Sequence, residues 1–270
     1  MSSVPSRSIY PRRYLAVLFF CLAVVGFLSA APARADLKDG IDAFEREDYT
    51  TAARELRPYA ERGIAMVQFL LGGLYMYGNG VPLDYDEARK WLLLAAHNNL
   101  KEAQLALGYM HFDGLGVVQD YNEAERWSRK SAEQGYALAQ SLMGRIYFNA
   151  FGVPEDFEQA AYWYGLAAEQ GDYEGQFFFG LSHWGGVGVR RDLITAYKWM
   201  SLAADHESEQ AQEEIESYAE EMTSDEIAEA DRLAEVWRVE HYNSKYVFRQ
   251  ALSSGFPRAL RELREMNIDE

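Results

Sequence analysis

The sequence has little of what covalent cross-linking or catalysis usually requires. Cys21 is its only cysteine, and its 270 residues include five histidines. A single cysteine cannot form a disulfide within the chain. The sequence contains no H-E-x-x-H, S-x-x-K or G-x-S-x-G spacing and no phosphate-binding P-loop. We therefore expect no catalytic residue, no metal site and no cofactor, and we do not expect an enzyme.

Acidic residues are absent from the first 35 positions, and the composition of this segment also differs from that of the rest of the chain. Basic residues precede an apolar run at 14–31, and Ala33-Arg34-Ala35 has the small-x-small pattern of a cleavage site. This order predicts a signal peptide over residues 1–35, removed before Asp36, and a periplasmic or secreted protein without membrane insertion after cleavage. The alternative is an uncleaved anchor, since the apolar run approaches the length of a membrane span.

Basic residues are scarce. Lys and Arg number 26 against 42 Asp and Glu, and the net charge is −16. The predicted leader holds four arginines and no acid, so the mature charge becomes −20. Such a surface repels nucleic acid and anionic lipid. Residues 207–231 hold eleven acids and no Lys or Arg. This segment is either a solvated acidic cap, partly neutralised by the basic tail, or a docking patch for a basic partner.

A repeat of 36 residues is what the sequence has in abundance. A fixed period of this length marks an array of helix pairs, each too small to bury its apolar face without its neighbours. Gln, Asp and Ala marks recur at the same period, beginning at Gln68, Asp84 and Ala88. The glycine and tryptophan marks, which we expect to be structural, are Gly72, Gly108, Gly144 and Gly180 with Trp91, Trp127, Trp163 and Trp199.

Each unit is predicted to contain two helices, as the second copy illustrates. The apolar run 103–110 suits a helix that is buried on most sides. Gly108 lies inside it, and a mid-helix glycine costs about 1 kcal/mol relative to alanine, so we expect close approach of the paired helix there. Glycines at 113–116 break the helix. Asp120 then N-caps the second helix, and Glu123 is placed to reach back to the cap amide.

These marks resemble the Sel-one-like repeat, a relative of the tetratricopeptide repeat. The resemblance implies an all-α fold, a right-handed α-solenoid of antiparallel helix pairs that binds proteins or peptides, often in the bacterial periplasm or in host–microbe settings. Four copies cover residues 65–210. In the first copy the family pattern is carried by Leu71-Gly72, Tyr75, Gly78-x-Gly80-Val81, Asp84, Ala88, Trp91 and Ala95-Ala96.

The array has atypical ends. Residues 36–64 are predicted to form a tetratricopeptide-like hairpin, and residues 211–270 a partial repeat with a C-terminal helical cap. Thr223-x-x-Glu226 is typical of a capping box for a helix running to about Trp237. Pro257 suits the first turn of a last short helix. Terminal units are expected to depart from the pattern because their outer face has no neighbour.

By analogy with tetratricopeptide units, the first helix of each pair should line a concave groove. Met76, Phe112, Phe148 and Trp184 recur at one period and form an aromatic ladder, and Arg145 would orient an acidic group of a ligand. The alternative is that the ladder packs in the core. The full set of predicted groove residues is Phe69, Met76, Tyr77, Leu105, Tyr109, Phe112, Arg145, Phe148, Phe177, Leu181 and Trp184.

A long surface without catalytic residues favours an interaction scaffold or regulator. We expect it to bind an envelope protein or peptide in its groove, and not to bind nucleic acid. One alternative is a glycan-binding or hydrolytic protein acting on cell wall or exopolysaccharide. Hydrolysis would require paired carboxylates across the groove, and the predicted groove positions contain none. The other alternative is a host-facing adaptor.

Overall fold

The computed structural model describes residues 31–206 and 208–254, with side chains over 37–206 and 208–241. Every regular element in these ranges is an α-helix. The helices are α1 Ala31–Glu45, α2 Tyr49–Glu61, α3 Ala65–Tyr77, α4 Tyr85–His97, α5 Lys101–Asp113, α6 Tyr121–Glu133, α7 Ala137–Phe148, α8 Phe157–Glu169, α9 Tyr173–Gly185, α10 Leu193–Ala204, α11 Glu209–Glu220 and α12 Ser224–Ser254.

Two sequence predictions concern positions at the edges of this range. Residues 1–30 of the predicted signal peptide and the predicted helix at Pro257 lie outside the described residues. The predicted cleavage point between Ala35 and Asp36 falls within α1. Among the described helices, none has the length and apolar character needed to cross a membrane.

The helices pack in chain order within two compact units, which meet between Ser131 and Ala132 in the sequence. In the first unit, α1 packs against α2, α2 against α3, α3 against α4 and α4 against α5. In the second, α7 packs against α8, α8 against α9, α9 against α10 and α10 against α11, and α12 packs against α10. The predicted fold class, an all-α solenoid built from antiparallel helix pairs, is confirmed.

The repeat glycines lie where the two helices of each pair meet, each facing the residue that follows a repeat tryptophan. The four repeat tryptophans are buried, with Trp163 the most exposed at 6%. A Cβ added to Gly72 would lie 2.9 Å from Leu92 Cγ, and one added to Gly144 would lie 2.6 Å from Tyr164 Cδ1. The predicted close approach of the paired helix is therefore confirmed, and it explains why glycine occupies a mid-helix position.

The repeating glutamines join each first helix to the helix before it, a role that the sequence pattern did not reveal. Each side-chain amide donates to a carbonyl eight residues earlier, near the end of the preceding second helix. Each of these carbonyls also accepts from the backbone amide three residues on, so the buried glutamine amide is a second donor that ties the two helices together. The pairs are Gln68 with Ala60 (2.9 Å), Gln104 with Ala96 (3.3 Å), Gln140 with Ala132 (3.3 Å) and Gln176 with Ala168 (3.5 Å).

The repeat aspartates cap the second helices, but the predicted return bond from the glutamate is wrong. Asp120 accepts from the backbone amides of Asn122 and Glu123, as expected of an N-cap. Its own amide, however, donates to the carbonyl of His111 at 3.0 Å. The first helix thus occupies the donor that a capping box would use, and Glu123 pairs instead with Arg126.

The C-terminal region contains the capping box that the repeats lack. The Thr223 amide donates to Glu226 Oε2 at 2.8 Å, and the Glu226 amide donates to Thr223 Oγ1 at 3.3 Å. The predicted box is confirmed, although α12 continues to Ser254 rather than ending near Trp237. Trp237 packs edge-on against Trp199, with ring centroids 6.0 Å apart, and so anchors α12 on α10.

Candidate binding surface

The first helices α3 and α5 carry the predicted groove residues of the first unit, and α7 and α9 carry those of the second. Three of these residues are buried and belong to the core. Phe69, Leu105 and Phe177 are 7%, 5% and 4% exposed. Each directly follows a repeat glutamine, whose side chain points back to the preceding helix. This part of the first helix is therefore covered by its neighbours, and the groove assignment of these three residues is wrong.

In the first unit, the remaining groove residues are mostly half-buried. Met76 packs against the core of that unit. Phe112 meets Tyr121, the first residue of the paired helix, with ring centroids 5.3 Å apart. Tyr109 is half-buried, and Tyr77, at the end of α3, is 39% exposed.

In the second unit, α11 covers the last position of the ladder. Trp184 stacks on Tyr218 of α11, with ring centroids 3.8 Å apart and ring planes 7° apart. The guanidinium of Arg191 lies 5.5 Å from the centre of the Trp184 ring. It also forms an ion pair with Glu221 at 2.6 Å. Leu181 is half-buried in the same cluster. Trp184 therefore serves the junction with the terminal helices.

Phe148 is the ladder residue with the most open side chain. It is 38% exposed, whereas the other three ladder residues are half-buried. One side of its ring packs on Phe157 at a centroid distance of 5.4 Å. Phe157, like Tyr121, directly follows the aspartate N-cap, and Tyr49 in the same position packs on Phe44 at 5.5 Å. Sequence analysis missed this column, although its 36-residue spacing was readable.

Arg145 lies one helical turn before Phe148 on α7. Its guanidinium Nη1 is 3.8 Å from Glu174 Oε1 of α9, and the two side chains are 18% and 25% exposed. Charge-assisted hydrogen bonds between such groups are usually about 2.7–2.9 Å long. The pair is therefore an ion pair at longer range than a hydrogen bond.

Ser141, one further turn back on α7, bonds to Asp172. Its hydroxyl donates to Asp172 Oδ2, which also accepts from the Gly175 amide at 2.9 Å and so N-caps α9. Burial raises the pKa of the Asp172 carboxyl, while the bonds from Ser141 and Gly175 oppose that rise.

The sequence held a signal for this polar pair, but only the structure shows that its two members meet. At the position of Ser141 the other repeats have apolar residues. The N-cap position of Asp172 is apolar or aromatic in the three earlier places, where it makes no side-chain cap bond, whereas its later counterpart Ser208 accepts from the Ala211 amide. The equivalents are Phe69, Leu105 and Phe177 for Ser141, and Ile64, Leu100 and Tyr136 for Asp172.

The loop after α7 is also unusual. Ala150 has φ +55°, whereas its counterpart Gly114 has φ +70°. A left-handed backbone disfavours a residue that has a Cβ, and such a conformation costs of order 1–3 kcal/mol. The open end of α7 is therefore followed by a strained turn.

Among the described residues, no group of three or more His, Cys, Asp or Glu side chains could hold a metal ion. His183 packs edge-on against Phe179, with centroids 4.7 Å apart, and burial lowers its pKa. The described surface thus offers contacts suited to binding: an aromatic ring, a guanidinium and hydrogen-bonding groups.

Comparison with known proteins identifies the repeats. The Sel1 repeat model matches residues 65–100, 101–136, 137–172 and 174–208. The protective antigen c5321 of uropathogenic Escherichia coli, which displays an SLR fold, is 28% identical with a TM-score of 0.68, and the match covers 78% of this chain. A Sel1 repeat protein from Oxalobacter formigenes is 33% identical with a TM-score of 0.58, over 62% of this chain.

This chain spans about half the length of both solved structures, 46% and 48% respectively. No match is found among the curated proteins. The four matched segments account for more than half of the residues, and the helix pairs, buried tryptophans and repeat glycines occur in each of them. The chain belongs to the Sel1 repeat family.

Proposed function

We propose that this chain is a scaffold that binds a protein or peptide of the bacterial envelope, outside the cytoplasm. Sel1 repeat proteins generally mediate protein–protein interaction. The proposed location is supported by the leader-like order of charge, apolar run and cleavage pattern in the first 35 residues.

The observation that carries the proposal is the open face of α7. Phe148 keeps 38% of its surface exposed at a position where the equivalent side chains are half-buried. A rigid, partly exposed aromatic ring beside an arginine is the kind of anchor that contributes most to protein interfaces.

The charge of the chain supports a partner with a basic surface. A mature net charge of −20 should speed association with such a partner and make it sensitive to salt, because steering by opposite charges is screened by ions. We therefore expect capture of the partner to weaken between low and physiological ionic strength.

The test is capture of partners from an envelope extract by the immobilised mature chain. Phe148→Ala should lose a specific partner, since truncating an anchor often costs about 2 kcal/mol or more of binding free energy. Tyr162→Ala is the matched control, because Tyr162 is an exposed aromatic, 55% accessible, on the second helix of the same repeat. Equal capture by wild type and by both folded variants would remove α7 as the binding surface.

The proposed location has its own measurement. The mature protein should begin at Asp36, so its intact mass should lack Cys21. A mass that still includes Cys21 would favour the uncleaved anchor.

A host-facing adaptor is the second candidate. It is favoured by the likeness to c5321, a relative described as a protective antigen. Capture from host-cell surface extracts, run in parallel with the envelope extract, distinguishes the two: a Phe148-dependent partner should appear in one extract and not in the other.

A further inference from the structure

We propose that α7 recognises a carboxylate next to an apolar side chain in the partner, with Arg145 as the specificity-determining residue and Phe148 as the apolar contact. This inference rests on the proposed scaffold function, and it names the chemical feature of the partner that the scaffold recognises.

Two departures from the repeat, Ser141 and Arg145, lie on the same face of α7 as the apolar Phe148. Ser141, Arg145 and Phe148 are four and three residues apart, so they lie along one face of the helix. The corresponding residues on the other first helices are apolar or uncharged. In the order of these three positions they are Phe69, Gly73 and Met76; Leu105, Tyr109 and Phe112; Phe177, Leu181 and Trp184.

The charge on this face of α7 is opposite in sign to the net charge of the chain. Acids outnumber bases in this chain, 42 to 26, yet the charged residue on this face of α7 is an arginine with 18% side-chain exposure. A guanidinium presents a planar fork of donors that matches a carboxylate, and partial burial strengthens such a pair by excluding water.

One of the present partners of Arg145 is a carboxylate. Glu174 Oε1 lies 3.8 Å from Arg145 Nη1, and Glu174 is itself 25% exposed. Glu174 thus acts as an internal competitor that holds the guanidinium in place, and a ligand carboxylate can replace it at a shorter distance. Exchanging one carboxylate for another leaves the arginine paired, so its burial is not left uncompensated.

The spacing of Arg145 and Phe148 on the helix limits which groups of a ligand can reach both. Residues three apart on a helix have Cβ atoms about 5–6 Å apart. An extended peptide advances about 3.3 Å per residue, so groups one or two residues apart in the ligand match the separation of Arg145 and Phe148. The structure therefore favours an apolar residue within two positions of an aspartate or glutamate.

Asp172 is a second carboxylate near this face of α7, but it is already bonded within the fold. Burial raises the pKa of its carboxyl, and the hydroxyl of Ser141 already occupies one of its oxygens. Asp172 is thus committed to capping α9 within this face, and it leaves Glu174 as the carboxylate that the ligand displaces.

The experiment uses the full mature chain and three peptide libraries of eight residues. Each library fixes one leucine, followed by aspartate, asparagine or lysine, with the other positions randomised over uncharged residues and lysine. The fixed residue thus tests the charge read at Arg145. Bound peptides are sequenced, and the affinities of representative peptides are measured by fluorescence anisotropy.

We expect the aspartate library to bind about tenfold more tightly than the asparagine library, the ratio that about 1.4 kcal/mol represents. Arg145→Gln should abolish this preference. Glu174→Gln should increase it, because the internal competitor is removed. Thermal unfolding of both variants serves as the folding control, and Glu174→Gln keeps the test valid even if Arg145→Gln is destabilised.

The opposite results are distinct. A lysine preference that Glu174→Gln weakens would show that the face reads a cation, and would overturn the inference. Equal binding of all three libraries would also overturn it while leaving the scaffold function standing. An absence of binding to every library would count against both.

Discussion

The second repeat, residues 101–136, and the third, residues 137–172, place equivalent residues 36 positions apart and differ along one face. Both bury their tryptophan, Trp127 and Trp163, and in both the buried glutamine donates to the preceding helix. On the first helix, however, Tyr109 in the second repeat corresponds to Arg145 in the third. The marks that recur hold the helices together, and the positions that vary are those that can differ without loss of the fold.

The loops of the two repeats show the same division. Gly114 ends α5 with a left-handed backbone that suits glycine, whereas Ala150 adopts a left-handed φ of +55° after α7. The third repeat thus tolerates strain next to its open face. Backbone strain of this kind persists only where the surrounding structure holds it in place, and it is found preferentially at functional sites.

The largest expected effect concerns what the two repeats share. Trp127→Ala should lower the free energy of unfolding by about 3–5 kcal/mol, the usual cost of deleting a buried large aromatic side chain. Chemical denaturation measures this. Tyr162→Ala, at an exposed position, is the control and should change the midpoint little. An unchanged denaturation midpoint for Trp127→Ala would contradict the burial of Trp127.

The next effect compares the glycine contacts between paired helices in the second and third repeats. Gly144→Ala should destabilise by about 1–3 kcal/mol, because the new Cβ meets the buried ring of Tyr164. Gly108→Ala should be close to neutral. Its Cβ would meet the Ser128 hydroxyl, which can rotate away, and alanine gains about 1 kcal/mol in helix propensity. Equal losses for both variants, measured by denaturant midpoints, would show that the ring of Tyr164 can yield.

A smaller pair of effects tests the strained turn. Ala150→Gly should raise the free energy of unfolding by about 1 kcal/mol, and Gly114→Ala should lower it by a similar amount, because glycine alone adopts this region without a Cβ penalty. Thermal unfolding of the two variants against wild type decides the matter. Changes of the same sign in both would contradict the assigned backbone conformations.

The smallest effect concerns pH in the third repeat. Burial raises the pKa of Asp172 above its ordinary value of 3.8, so the folded state holds this proton more tightly than the unfolded state. The resulting stabilisation is complete below that ordinary value and is lost as the pH rises through the folded pKa. Asp172→Asn keeps an N-cap acceptor and should flatten this dependence. A melting temperature with the same pH profile in variant and wild type would contradict this assignment.

The sequence predicted the parts of the fold that depend on local chemistry. Asp120 was identified as an N-cap because a short carboxylate before an amphipathic segment satisfies the free amides of a helix start. The sequence did not reveal that the backbone amide of Asp120 bonds to the carbonyl of His111, because that contact depends on how the first helix ends beside the second. For the same reason, the predicted return bond of Glu123 was wrong.

The candidate surface was predicted less well than the fold. Sequence spacing placed Phe69, Phe148 and Trp184 together as groove residues, since all belong to first helices. The structure separates them: Phe69 lies in the core, Trp184 is covered by Tyr218, and Phe148 remains open. Spacing fixes which face of a helix a residue occupies, but the neighbouring helix decides whether that face is covered.

The amino-acid sequence by itself determined the 36-residue repeat, the helix pairs and the close approach of paired helices at the repeat glycines, because these follow from periodicity and steric fit between adjacent segments. Only the tertiary structure decided the roles of the variable positions. Ser141 and Asp172 are 31 residues apart and form a bond because α7 lies beside the start of α9. Contacts between successive helices depend on packing in three dimensions, which a one-dimensional period does not specify.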